Sequence, residues 1–159
     1  MLATLLDAEV VAVGPEGERV IPAPEFFFGF FMTALEPDEM IVEVRFPRPA
    51  PHAALQEFAR RAGDYGIVAA AVALEVSDGR CNSARVVLGG VADTPLRVSE
   101  AERLLEGAEV SREAFEEAGW EAAKVVDPPS DVQGTAEYRR DLSAVLIRRA
   151  LTEATGNGG

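Results

Sequence analysis

The stretch FARRAGDYGIV (58–68) sets Tyr65 between Gly63 and Gly66, with Arg60, Arg61 and Asp64 just before it and an apolar run just after. A loop tyrosine held between glycines can lay its ring against a planar ligand while its hydroxyl meets a polar partner. Asp64, with Arg60 and Arg61, would then supply polar anchoring through charge-assisted hydrogen bonds. A tyrosine at the start of a strand more often simply packs, so this stretch alone names a surface and no reaction. Elsewhere the chemistry is sparse. Cys81 is the single cysteine and His52 the single histidine, which excludes an internal disulfide, a cysteine-built zinc site and an iron–sulfur cluster held by this chain alone. His52 lies among prolines in PAPHAAL and reads as a solvated loop residue. No phosphate-cradling glycine motif, zinc-protease motif or nucleophile elbow occurs. Gly89-Gly90 closes a strand, where tight turning or close packing explains it.

The 159 residues, 48% hydrophobic and 26% charged, suit one ordinary domain or two small ones. A net charge of −12 argues against a phosphate-tracking surface and against an anionic membrane. No apolar run approaches the roughly 20 residues that span a bilayer. The residues after Met1 show no secretory pattern, and a cytoplasmic site is expected.

These candidates must be positioned by an α+β chain. AEVVAV (8–13) and ERVI (18–21) flank GPEG and predict a hairpin. Pro24 suits the first turn of a short helix, and the phenylalanines of FFFGFF (26–31) read as a core plug rather than a ligand cage. MIVEVRF (40–46) predicts a strand with one buried face. PRPAPH (47–52) is the densest breaker and divides the chain. AALQEFARR (53–61) fits strand or helix. IVAAAVALEV (67–76) and NSARVVLGGV (82–91), joined through Asp78-Gly79, predict a long hairpin. One face of its first strand is Val68, Ala70, Val72, Leu74 and Val76; the alanine-rich other face lets a packed helix lie close. Ser99 and Glu102 have capping-box spacing, with Gly107 as the stop. Ser111 caps a second helix to about Val126, with Phe115, Ala118, Ala122 and Val126 on one side. After DPPSDVQG, Thr135 starts a third helix whose apolar stripe is Tyr138, Leu142, Val145, Leu146 and Ala150, with the arginines mostly off it. Residues 156–159 are expected to fray as a disordered tail.

In order, VIPAPEFFFGFF…TALEPDEMIVEVRFP, FARRAGDYGIVAAAVALEV, ARVVLGGVADTPLRVSEAERLLEG and SDVQGTAEYRRDLSAVLIRRAL run over nearly the whole chain. This series resembles the medium, FAD-binding subunit of aerobic carbon monoxide dehydrogenase and its xanthine dehydrogenase-type relatives. The resemblance implies molybdenum chemistry in a large subunit, iron–sulfur clusters in a small subunit, and FAD in the medium subunit passing electrons to an external acceptor. It implies that Tyr65 lies against the isoalloxazine ring and that Ile41, in DEMIVEV, packs beside it. Some relatives carry a lysine where this chain has Gln56, which can still donate a hydrogen bond to the cofactor.

By the same likeness, residues 1–50 are a remnant of the FAD-binding domain, and 53–155 are its carboxy-terminal companion, a small antiparallel sheet beside a three-helix bundle. Longer family members hold the FAD pyrophosphate in glycine-rich loops, expected to be absent from this truncated chain. It is then an oxidoreductase component that is inactive by itself and retains FAD weakly. The rival expectation is a non-catalytic docking or assembly domain, in which the phenylalanine cluster and the last helix contact partner subunits or a second copy.

Overall fold

The computed structural model describes residues 1–47, 49–61 and 63–156. The expected tail at 157–159 lies outside them, as does Arg48 of the proline-rich breaker. Gly156 itself closes a helix, its N–H donating to the Glu153 carbonyl.

The chain opens with a single helical turn, α1 (Leu2–Leu5), then the expected hairpin β1 (Glu9–Gly14) and β2 (Gly17–Pro22). Helix α2 (Ala23–Phe26) follows, with Pro24 in its first turn, then the small ribbon β3 (Phe27–Gly29) and β4 (Met32–Thr33). β5 (Met40–Arg45) returns to pair with β1, giving the order β2-β1-β5. Arg19 on β2 grips Glu39 at the start of β5, Nε to Oε1 2.5 Å and Nη2 to Oε2 2.7 Å. The guanidinium, followed by the Glu36 backbone N–H, holds the Glu39 carboxyl down at about 2.

Two expectations fail in this region for one reason. All six β5 residues are exposed, so the strand has no buried face. Of the phenylalanines only Phe26 is buried, while Phe28, Phe30 and Phe31 are open to solvent, so they form no core plug. The local core of Val10, Ala12, Ile21 and Phe26 is too small to cover them. Alternation in β5 records which side chains are apolar, and the described residues bring nothing onto them.

The second region is a four-stranded antiparallel sheet backed by helices. β6 (His52–Phe58) resolves the open choice at 53–61 as strand up to Phe58, with 59–61 in the loop beyond; His52 is its first residue, half-buried, with Nδ1 3.3 Å from the Ala154 carbonyl, and so is no free loop residue. β7 (Val68–Ser77) and β8 (Arg80–Gly89) form the expected long hairpin. Its turn, Asp78-Gly79, has φ of 51° and 73°, the left-handed pair that matches strand twist. The edge is the two-residue β9 (Leu96–Arg97), and the order is β6-β7-β8-β9.

Val68, Ala70, Val72 and Leu74 of β7 join Val86 and Leu88 of β8 in one core with α3 (Ser99–Leu105), α4 (Arg112–Val125) and α5 (Ala136–Ala154). Each fully buried Leu or Ile there contributes about 1.5–3 kcal/mol. The alanine face does take a helix: Leu5 of α1 packs on Ala71, Ala73 and Val87. Just beyond α1, Asp7 accepts from Arg85 Nη1 at 3.4 Å and Arg97 Nη1 at 2.8 Å, tying the first region to the second.

Ser111 caps α4 by accepting from the Ala114 N–H, and Thr135 caps α5 by accepting from the Tyr138 N–H. The Ser99–Glu102 capping box does not form. Glu102 points into the sheet, accepting from the Val86 N–H at 2.9 Å and Arg97 Nε at 2.8 Å, so its carboxylate serves two strands rather than its own helix. The stripe on α5 is rotated from the expected one. Its buried side comprises Arg139, Ser143, Ala144, Leu146, Ile147, Ala150, Leu151 and Ala154, while Tyr138 is exposed.

Helices α4 and α5 approach so closely that a Cβ at Gly119 would stand 2.6 Å from the Ala144 carbonyl oxygen. That contact is backbone and cannot swing aside. Gly119→Ala is expected to cost about 1–3 kcal/mol, read as a lowered midpoint in chemical denaturation.

Candidate functional site

The site begins with the loop between β6 and β7. Gly63 has φ +91°, which glycine adopts without strain. A Cβ at Gly66 would meet Glu57 Cγ at 2.7 Å, so the chain returns close along β6 before entering β7. Tyr65 between them is 100% exposed. Its ring is not used in the core.

Tyr65 and Phe30 line one open cleft of about 230 Å³, completed by Gly66, Ile67, Gly90, Ala92, Pro129, Asp131, Gln133 and Arg139. Phe30 comes from the first region, at the two-residue turn between β3 and β4, where Gly29 pairs with Met32. The next residue, Phe31, has φ +57° and a fully exposed ring. A bulky residue in the left-handed region is a strained choice for a turn, of the kind found where a tip is held for use.

The floor of the cleft is held by Arg139, 5% exposed. Its Nη1 donates to the Ile67 carbonyl and, at 2.8 Å, to the Gly90 carbonyl; its Nη2 donates to Asp131 Oδ2 at 2.7 Å. Its Nε is buried with no partner. The opposite wall is a preformed turn in which Asp131 Oδ1 accepts from the N–H groups of Gln133 (2.8 Å) and Gly134 (3.1 Å). Arg60 Nη2 donates to the Gln133 carbonyl at 2.9 Å, so this arginine braces the wall. Gly90, with φ +80°, could carry no Cβ without striking the Ile67 carbonyl, the close packing expected of it.

Of the sequence candidates, Tyr65 alone lines the cleft; Asp64 lies beside it, exposed, its N–H on the Arg61 carbonyl at 3.2 Å. Gln56 donates to Glu153 on α5 and lines a separate groove with Arg148, Arg149 and Thr152. Ile41 pairs with Ala12 on the first sheet and does not line the cleft. The sequence pattern does not single out Arg139 or Asp131, since an arginine in a run of helical charges reads as solvated. The DPPSDVQG breaker before a capped helix was the available signal. Among the described residues no group of three potential ligands stands ready for a metal. Cys81 is buried, its thiol pushed up chiefly by desolvation, which suits packing and not reaction.

The chain is thus a two-part α+β fold with an aromatic-lipped cleft where its parts meet. Residues 53–154 match the CO dehydrogenase flavoprotein C-terminal domain, and the chain belongs to that family. Residues 1–49 match the FAD binding domain in molybdopterin dehydrogenase. The chain is 38% identical over 155 residues to the carbon monoxide dehydrogenase medium chain of Afipia carboxidovorans, covering 96% of this chain and 54% of that one. It is 40% identical over 149 residues to the nicotine 6-hydroxylase medium subunit of Paenarthrobacter nicotinovorans, 94% of this chain and 53% of the relative. Among solved structures it superposes on quinoline 2-oxidoreductase from Pseudomonas putida 86 with a TM-score of 0.93 at 32% identity, covering 98% of this chain and 55% of that chain. The chain thus spans about half the length of the curated relatives it matches. No helix among the described residues is long and apolar enough to cross a membrane.

The Arg139 guanidinium, followed by the Gln133 and Gly134 backbone, holds the Asp131 carboxyl below its ordinary 3.8. A carboxyl lowered on folding stabilises fully above its unfolded value, and that contribution is lost as pH falls through the folded one. Asp131→Asn is therefore expected to flatten the loss of stability below about pH 4, measured as urea midpoints across an acid pH series. An unchanged slope would assign the acid sensitivity to other carboxyls.

Proposed function

We propose that this chain forms the ring-covering part of the flavin site in the medium subunit of a cytoplasmic carbon monoxide dehydrogenase-type molybdenum hydroxylase. In that complex electrons pass from iron–sulfur clusters through FAD to an external acceptor, and the partners are a molybdenum-containing large subunit and an iron–sulfur small subunit. Residues 1–50 are taken as part of the FAD-binding domain and 53–155 as the companion domain that closes over the ring.

The single observation that carries this reading is a fully exposed tyrosine sharing an open cleft with an exposed phenylalanine at the meeting of the two matched regions. The residues present fit a flat ring. Tyr65 and Phe30 offer apolar faces, and Gly66, Gly90 and Ala92 leave the space between them unobstructed. Tyr65 covers the ring and excludes water from it, and its hydroxyl is free to meet a polar edge. Asp64, exposed beside the cleft, stands as a polar partner. Ile41 and Gln56 belong to the proposal only as outlying contacts, reached if the ring's substituents extend beyond the cleft. When bound, the flavin supplies the ability to take up electrons and hand them on one or two at a time.

A second reading has its own support. Along β5, Met40, Ile41, Val42 and Val44 are exposed and adjoin no covering element among the described residues, as expected of a docking or assembly domain.

Tyr65→Ala in the full-length subunit separates the two. On the flavin reading it weakens FAD retention by up to about tenfold, given roughly 1.5 kcal/mol for a stacked aromatic pair, and alters the flavin absorbance and reoxidation rate. Unchanged flavin with lost subunit assembly supports docking. The 159-residue chain expressed by itself is expected to elute from gel filtration colourless, because the aromatic and apolar contacts its cleft offers hold FAD weakly. A stoichiometric yellow spectrum would count against that.

A further inference from the structure

The buried guanidinium beneath the cleft has geometry that its role in stability does not require. One nitrogen, Arg139 Nη1, serves two carbonyls from different strands' ends, Ile67 before β7 and Gly90 after β8. The other terminal nitrogen holds Asp131, whose second oxygen shapes the opposite wall. The three segments that flank the cleft therefore converge on one rigid, planar fork.

Arginine suits this and lysine does not: the guanidinium presents its N–H groups in one plane at fixed angles, whereas an ammonium is a point charge with rotating donors. Gly90 completes the requirement. Only without a Cβ, and at φ +80°, does its backbone come near enough to Ile67 for both carbonyls to reach the same nitrogen. Thr135 sets the fork's height by capping the helix four residues before Arg139, whose own N–H donates to the Thr135 carbonyl at 3.0 Å.

We infer that Arg139 is the positioning residue of the Tyr65 cleft: its fork sets the separation between the Tyr65–Ile67 loop and the Asp131 wall, and so the fit of a planar ring between them. The inference rests on the flavin reading for the identity of the ring and stands on the geometry for the clamp. Arg139 acts through backbone and through Asp131; it is not a catalytic residue.

The test uses the 159-residue chain as wild type, Arg139→Met and Arg139→Lys. Hydrogen exchange is followed at the Ile67, Gln133 and Gly134 amides, which are hydrogen-bonded around the clamp, and, away from it, at Val86 in the sheet and at Val110 beside the Asp78-Gly79 turn. Lumiflavin, the ring without ribityl phosphate, is the ligand probe, followed by shifts of the Tyr65 and Phe30 ring resonances. The expected result for both variants is faster exchange at Ile67, Gln133 and Gly134 with Val86 and Val110 unchanged, and lumiflavin affinity reduced by roughly tenfold or more, the scale of a misplaced support. Lysine is expected to keep the charge and the melting temperature better than methionine yet fail to restore affinity. If Arg139→Met does not fold, Arg139→Lys carries the same comparison. Unchanged protection around the cleft, equal loss of protection everywhere, or full affinity in the lysine variant would each overturn the inference. Wild-type chain that ignores lumiflavin would sink the flavin reading while the exchange pattern still judges the clamp.

Discussion

A positive charge with its stem and head inside the protein is the constraint around which this chain is built. Burying Arg139 carries a desolvation cost of several kcal/mol unless its donors are met. Two carbonyls and one carboxylate meet its terminal nitrogens, each from a different part of the chain, while Nε has no partner. The same bonds satisfy backbone groups that could not otherwise be used, because Ile67 precedes its strand and Gly90 follows its own. The helix that carries Arg139 is thereby locked to the sheet at one end, while its apolar side, Ile147 and Leu151 among others, seals the rest.

The two matched regions are joined by quite different means. Leu5 lies on alanines of β7 because nothing larger than a methyl group stands in its way, and Asp7 then engages Arg85 and Arg97. That seam brings the aromatic tip at Phe30 to the mouth of a cleft whose remaining walls belong to the second region. A site shared by two regions responds to how they are seated as well as to its own residues. The strained turn at Phe31 and the exposed tyrosine both face outward at this seam, where a core would offer them no reward.

The N-terminal region differs from the C-terminal one in how little it conceals. Its sheet buries Val10, Ala12 and Ile21 against Phe26, while the apolar residues of β5 stay open. The Arg19–Glu39 pair and the turn it closes keep that strand in register without help from a second layer.

Local chemistry was enough to mark the elements whose own residues decide them. The Asp78-Gly79 hairpin, the Ser111 and Thr135 caps, and the glycine-bracketed Tyr65 are all short-range matters of backbone angle and nearby donors. Which face an element buries is a long-range matter, and there the pattern misled. Alternation in β5 implied a core that no described neighbour supplies, and Glu102 left its helix cap for two strands. Arg139 turned inward because carbonyls from both ends of a hairpin waited for it. Periodicity reports what a side chain is; only the assembled fold brings the partners that decide where a charge can be buried.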